Sequence, residues 1–235
     1  MRYWSSALAL VFCLLPSPLC ARHLVVGLGI PQEHGLWPKL QSFMTQLALK
    51  TEKDLVIELK STPYPRIQEQ VSKGEMDGDV GRLQEVYEGN AGVVRVDEVA
   101  STLRLFFIFH KDRVMTDLSA IRRFKTLAAR ESFFHRRACK ELQLDCEFVG
   151  PGSSTMDMLR LKRVGAVMTT QFQLVEHMRL AGNPSLFRVG EKAWYMEPAY
   201  LFLAKKNADL APGIAAALRE LKQDGTYKKV FGMDP

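Results

Sequence analysis

Two stretches of this chain follow the same succession of apolar segments, and that repetition restricts the folds open to it. Leu24-Val-Val-Gly-Leu28 is a continuous apolar run suited to a strand buried on both faces. After the loop Pro31-Gln-Glu-His-Gly35, the residues Leu36, Leu40, Phe43, Met44 and Leu47 recur at helical spacing and define one apolar stripe. Leu55 to Leu59 reads as the next strand, Ile67 and Val71 lie on a helix ending at Gly74, and Met76 to Val80 is a third strand. The pattern then recurs: Thr126 to Ala129 a strand, Phe133 to Leu142 a helix, Glu147 to Val149 a strand, Ser154 to Lys162 a helix, Val164 to Met168 a strand. Ser154-x-x-Asp157 reads as a capping-box signal for the second of these helices. Alternating strands and helices predict parallel sheets with right-handed crossovers, so the chain is α/β, and two such units predict two lobes.

Between the units lies Thr102-Leu-Arg-Leu-Phe-Phe-Ile-Phe-His110, long enough to run from one lobe to the other, and the chain would return through Tyr200 to Ala204. Two crossings make a hinge with a cleft between the lobes, a common place for small-ligand sites. The boundaries read from this are lobe one at 22–103 and 200–235 and lobe two at 104–199. An ordinary core strand within a single sheet is the competing reading of Thr102 to His110.

The N-terminus reads as a secretory signal peptide over residues 1–21: Arg2, an apolar run from Ala7 to Leu15, the break at Pro16-Ser-Pro18 and a cut after Ala21. Prolines and Arg22 make that run too short to span a bilayer. Lipidation at Cys20 is the weaker alternative. Cleavage would leave 214 of 235 residues and lower the formal charge from +6 to +5. That excess, with no basic run interleaved with aromatics, gives nucleic-acid binding little support. Of the four cysteines only Cys139 and Cys146 would survive processing, an even pair in an oxidising compartment that predicts a disulfide. A metal site there would have only His135 in addition, short of a zinc set.

The C-terminal run Tyr200-Leu-Phe-Leu-Ala-Lys-Lys-Asn-Ala-Asp-Leu-Ala-Pro-Gly-Ile, a helix closed by Asp224-Gly225 and a last aromatic-bearing helix resemble the end of the bacterial extracellular solute-binding proteins of family 3, the polar amino acid ABC transporter type. Gly74-Glu-Met-Asp77 also matches that family's Gly-x-x-Asp before a strand. The resemblance implies a type II periplasmic-binding-protein fold, two α/β lobes joined by a two-strand hinge, in a monomer that takes up a small solute without a cofactor. The sequence departs from the family in three places. The Arg that grips a ligand carboxylate stands early, at Arg82. The acidic residue that meets a ligand ammonium is missing, since Lys162-Arg-Val-Gly-Ala166 leads to Met168-Thr-Thr-Gln171. The Gly-Thr or Gly-Ser at a helix start is replaced by Arg130-Glu-Ser-Phe133.

The site expected from these readings centres on Arg82, whose planar fork suits a carboxylate; a salt bridge to Asp79 or Glu85 is its alternative role. Asp79 either holds Arg82 or caps a turn. His34, Trp37 and Tyr64 would line the upper wall, although Trp37 could equally pack beside the helix stripe and His34 could simply be exposed. Ser132 would cap a helix and face an anion. Thr169, Thr170 and Gln171 offer neutral hydrogen bonds or helix caps. Trp194-Tyr195-Met-Glu197-Pro198 is assigned to the hinge edge, and Arg104 to the first crossing. Gly27-Leu-Gly29 lacks the third glycine of a dinucleotide fingerprint, and no Gly-x-Ser-x-Gly, Walker or His-Glu-x-x-His motif occurs. No residue is therefore assigned as catalytic or metal-binding. The functions open to the chain are delivery of a small ligand to an inner-membrane ABC permease, ligand sensing with a sensor protein, and a cyclohexadienyl dehydratase-like enzyme using Glu33, Asp79 or Glu197 as acid or base.

Overall fold

The computed structural model describes residues 21–113, 115, 117–130, 132–150 and 154–232. The predicted signal peptide, apart from Ala21, and Glu131 lie outside the described residues. The first unit builds β1 (Arg22–Leu28), α1 (Trp37–Thr51), β2 (Leu55–Ser61), α2 (Tyr64–Ser72) and β3 (Gly78–Arg82). A single-turn 3-10 helix over Gln84–Tyr87 leads into β4 (Val93–His110). The second unit follows with α3 (Leu118–Arg122), β5 (Thr126–Ala129), α4 (Phe133–Glu141), β6 (Cys146–Val149), α5 (Thr155–Arg160), β7 (Ala166–Thr170) and α6 (Leu174–Leu180). The chain returns through β8 (Phe187–Val189) and β9 (Tyr195–Ala204), and ends in α7 (Ala211–Gln223) and α8 (Thr226–Phe231).

These strands form one mixed sheet in the order β2-β1-β3-β9-β4-β7-β5-β6, with β8 also paired to β4. Within each unit the pairing is parallel, β1 with β2 and β3, β5 with β6 and β7. The two units are joined by antiparallel pairs of β9 with β3, β4 with β9 and β4 with β7. A single continuous sheet and two βαβ units are thus compatible, because β4 and β9 belong to both halves.

Several boundaries differ from the sequence reading: β7, read as Val164 to Met168, is found at Ala166–Thr170, and Ser154, read as a capping-box residue, makes no side-chain cap for α5. The first crossing strand begins at Val93 rather than Thr102, and the second at Tyr195 rather than Tyr200. Charged Arg95, Asp97 and Glu98 hide the early part of β4 from a hydrophobicity reading, yet an antiparallel partner holds it: Val93 to Arg95 pair with Ala204 to Phe202. The third strand starts at Gly78 instead of Met76, which places Arg82 on its last residue rather than beyond it.

The α1 stripe buries Phe43, Met44 and Leu47 against β1, β2 and the C-terminal helices, where Ile214, Leu218, Leu221 and Tyr227 complete a first core. Each such side chain removed from water contributes about 1.5–3 kcal/mol. A second core joins Ile67, Val71 and Met76 of the first unit to Leu105, Phe107, Phe134 and Met168 of the second, and a third lies under α5 around Leu127, Leu159 and Val167. At the C-terminal end of α7, Gly225 takes φ 78°, a left-handed turn that glycine adopts without strain, and Asp224 accepts the Thr226 N–H at 2.9 Å.

Cys139 of α4 and Cys146 of β6 form a disulfide, with Cα atoms 6.2 Å apart. It closes a short loop, so its contribution is expected at the low end of the roughly 2–4 kcal/mol typical of such bridges. Thiol labelling of the exported protein, unfolded without reductant, should find no reactive cysteine at these positions; two labelled thiols per chain would contradict the pairing.

Candidate ligand-binding site

Strand register decides where the two units meet. The carboxyl end of β3 pairs Arg82 with Tyr200, and Tyr200 pairs with Val99 of β4. The carboxyl end of β7 pairs Thr170 with Leu105, and Leu105 pairs with Tyr195. The two sets of strand ends therefore face each other across a shared floor, Val99 to Leu105 beside Tyr195 to Tyr200. Five strand steps separate Tyr195 from Tyr200, about 17 Å at 3.4 Å per residue. Strand carboxyl ends are where open α/β sheets gather ligands.

On the first unit the site is a stacked, partly buried set of polar groups. Arg82 Nε lies 3.0 Å from Asp79 Oδ2, and the Arg82 guanidinium sits 4.5 Å from the centre of the Tyr64 ring. The Tyr87 hydroxyl donates to Asp79 at 2.8 Å. Asp79 is fully buried, and that desolvation pushes its carboxyl up to about 7, opposed by Arg82 and by the Tyr87 hydrogen bond. Arg82 is thus held by an ion pair, as its alternative reading required, while remaining at the strand end. Arg82 Nε and Asp79 Oδ1 are buried without an aligned hydrogen-bond partner among the described residues, so the pair is not fully satisfied. Burial raises the Tyr64 phenol, with the charge of Arg82 opposing.

The Gly27-Leu-Gly29 pair has a steric purpose here. A Cβ on Gly29 would stand 2.3 Å from Tyr64 Cζ, so only glycine lets the ring lie across the end of β1 and over Arg82. His34 is half-buried in the loop after β1, and its Nδ1 accepts the Leu36 N–H at 3.2 Å. The charge of His34 also reaches Glu176 of α6 in the second unit, a lesser influence than the Arg179 hydrogen bond that lowers this carboxyl. Trp37 opens α1 and packs, half-buried, against the first core, which matches its packing role.

On the second unit most of the expected groups are occupied within the protein. Ser132 caps α4, accepting the His135 N–H at 3.2 Å. Thr170 caps the turn into α6 by accepting the Gln173 N–H at 3.3 Å, and Thr169 is fully buried. The Gln171 amide extends the β4 ladder past the end of β7, accepting the Arg104 N–H at 2.8 Å and donating to Thr102 O at 2.6 Å. Ser132, Thr169, Thr170 and Gln171 are brought to this end of the unit, but their polar atoms already have partners there.

Sequence reasoning gave two histidines no place in the site. His135 Nδ1 accepts the Ala129 N–H at 3.0 Å, which leaves the proton on Nε2; that atom is buried and has no partner among the described residues. Burial, with a smaller effect from His177, lowers His135 to about 4. His177 Nδ1 lies 2.9 Å from Thr169 Oγ1, and burial lowers this ring too. Forty-two residues apart in the chain, they carry no spacing signal.

Arg137 ties the units together beside the floor. From α4 it contacts Glu85, just after β3, while its Nε lies 2.8 Å from Glu197 of β9 and 3.1 Å from Glu141. The Tyr195 hydroxyl donates to Glu197, whose second oxygen is buried and unpartnered among the described residues. Burial raises Glu197, opposed by Tyr195 and Arg137. Among the described residues no cluster of three or more His, Cys, Asp and Glu side chains is placed to hold a metal ion, and no helix is long and apolar enough to cross a membrane.

No protein-family model matches this chain, and no curated protein matches it. Solved structures do. An ancestral arginine-binding protein bound to arginine superposes with a TM-score of 0.67 at 19% identity, over 91% of this chain and 98% of that one. The chain has the fold of amino-acid-binding proteins. The extracellular binding protein of a probable amino-acid ABC transporter from Bacillus subtilis matches with a TM-score of 0.69 at 13% identity, over 89% and 96% of the two chains. An ancestral amino acid-binding protein that is a precursor of cyclohexadienyl dehydratase matches at 0.65 and 17% identity, over 89% and 94%. The expected α/β two-lobed architecture is therefore the observed one, and the binding-protein fold accounts for nearly the whole described chain.

Proposed function

We propose that this chain is an exported solute-binding protein that captures a small anionic or amino-acid-like solute between lobe one, 22–103 with 200–235, and lobe two, 104–199. The leader over residues 1–21 directs it to the periplasm, where it acts as a monomer and hands the solute to an inner-membrane ABC permease. The observation that carries this reading is Arg82. It is a stacked and buttressed guanidinium at a strand carboxyl end, facing a second unit across a floor that both units share. Arg82 pairs with the anionic group of the solute, and Tyr64 forms the wall beside it. His34 and Trp37 border the entrance, and the α4 N-terminus capped by Ser132 supports negative charge from the opposite side. The polar groups of Thr169, Thr170 and Gln171 shape the second wall from within.

Binding without turnover suits the site better than catalysis. Of the three carboxylates that could move a proton, Asp79 is sealed behind Arg82, Glu197 is engaged by Tyr195 and Arg137, and Glu33 is exposed on a loop. Sensing in place of transport would use the same site and differ only in the protein that receives the closed form.

A thermal-shift screen across amino acids, organic acids, polyamines and sugars tests the reading. A solute that binds only the folded state adds about 2.7 kcal/mol at a hundredfold excess over Kd. A carboxylate-bearing solute is expected to raise the melting temperature. Small-angle scattering with that solute should then show a smaller radius of gyration as the lobes rotate about the floor strands. Stabilisation only by cations or neutral sugars would reject the Arg82 assignment, and turnover of a bound solute would move the protein to the dehydratase class.

A further inference from the structure

The net charge of the chain is confined to one part of it. Residues 104–199 hold sixteen Lys and Arg against ten Asp and Glu, while the remaining residues hold sixteen of each, so the formal +6 belongs entirely to the second unit. Half of those sixteen basic residues fall in three short segments, 111–113, 122–125 and 160–163, at the end of that unit opposite the cleft. They lie where β5 and β7 begin rather than where they end.

This end is built around an exposed aromatic side chain. Arg113 donates to Val164 O at 2.9 Å and to Lys162 O at 3.1 Å, and its guanidinium lies 4.5 Å from the centre of the Phe124 ring. Below the ring is Gly165, where a Cβ would come within 2.2 Å of Phe124 Cβ, and the Gly165 N–H donates to Lys125 O at 2.8 Å. Phe124 is thereby clamped in place and still 40% exposed, with Leu161 on the neighbouring loop 50% exposed. Salt bridges neutralise Lys125, Arg160 and Lys162 with Glu147, Asp157 and Asp112. Lys111, Arg123 and Arg163 are exposed and have no ion pair among the described residues.

We propose that this end of the second unit docks on an anionic bilayer surface, with Phe124 and Leu161 entering the headgroup layer and Lys111, Arg123 and Arg163 meeting lipid phosphates. A protein partner would call for a contiguous apolar centre with charge at its rim. Here the apolar atoms are two separate side chains set among cations, a composition suited to the interface of an acidic membrane. Because this end lies away from the strand carboxyl ends, docking leaves the cleft open, and the inference stands apart from the ligand reading.

Co-sedimentation of the mature chain with vesicles tests it. The protein is expected to pellet with phosphatidylglycerol-containing vesicles but not with pure phosphatidylcholine, and added salt should release it. Arg123→Glu with Arg163→Glu should weaken that binding about tenfold or more, since each basic residue near an anionic surface contributes separately. Phe124→Ser, with Arg113 left in place, should weaken it with less change in salt dependence. Both arginines are exposed, so circular dichroism of the charge-reversed variant should match the parent. Failure to bind anionic vesicles, or binding that survives the double reversal, would overturn the proposal. So would a parent that is captured by an acidic protein while ignoring lipid.

Discussion

Replacing Arg82 with Ala should weaken solute binding by about 2 kcal/mol or more, roughly thirtyfold in Kd, the loss expected for a charge-assisted bond in a partly buried site. The Arg82 side chain is only 12% exposed, and its guanidinium is aligned by Tyr64 on its face and Asp79 at Nε, so little ordering remains to be done when an anion arrives. Lys at the same position should restore only part of the affinity, because a point charge cannot stack on the Tyr64 ring or present two parallel donors. Ala also leaves Asp79 with the Tyr87 hydroxyl alone. Breaking a buried pair by removing one partner is usually costly, but Asp79 can take up a proton and limit the damage. The variant should therefore unfold more easily at pH 8 than at pH 5, and calorimetric titration with the screened solute measures the binding loss directly. An unchanged Kd would remove Arg82 from the site.

The second large effect is on the pH dependence of stability. Asp79 has an unfolded value of 3.8 and a folded value raised to about 7 by burial. Between these values the folded chain binds more protons than the unfolded one. The stability linked to this group is thus fully present below about pH 4 and lost as pH rises through about 7. Over that window the loss is up to about 4 kcal/mol at 1.36 kcal/mol per unit, the opposing charge of Arg82 being already contained in the folded value. Asn in place of Asp79 keeps an oxygen for the Tyr87 hydroxyl and cannot ionise. Urea unfolding of parent and Asp79→Asn at a series of pH values should show a flatter profile for the variant from pH 4 to 8. The lowered His135 and His177 act in the opposite sense, gaining stability as pH rises, but they are common to both proteins and cancel in the difference. Parallel profiles would mean that Asp79 stays ionised throughout as the fixed partner of Arg82.

The amino-acid order alone determined the α/β class and the duplicated units, because helical and strand periodicities are local and apolar stripes such as Phe43, Met44 and Leu47 can bury only one way. It also singled out Cys139 with Cys146, and Arg82 with Asp79, since charge, sulfur and a three-residue spacing are visible in a linear string. Tertiary structure decided the rest. The early part of β4 is interrupted by Arg95, Asp97 and Glu98 and is held as strand by its pairing with β9. The partners of Gln171 are backbone atoms sixty-seven and sixty-nine residues away, so its amide could be read as a ligand group until the fold spent it on the floor strand. His177 influences the buried His135 by its charge although forty-two residues separate them. Gly29 is required by the Tyr64 ring, a neighbour thirty-five residues on. Local sequence sets which elements form, whereas long-range pairing sets which polar atoms remain to meet a solute.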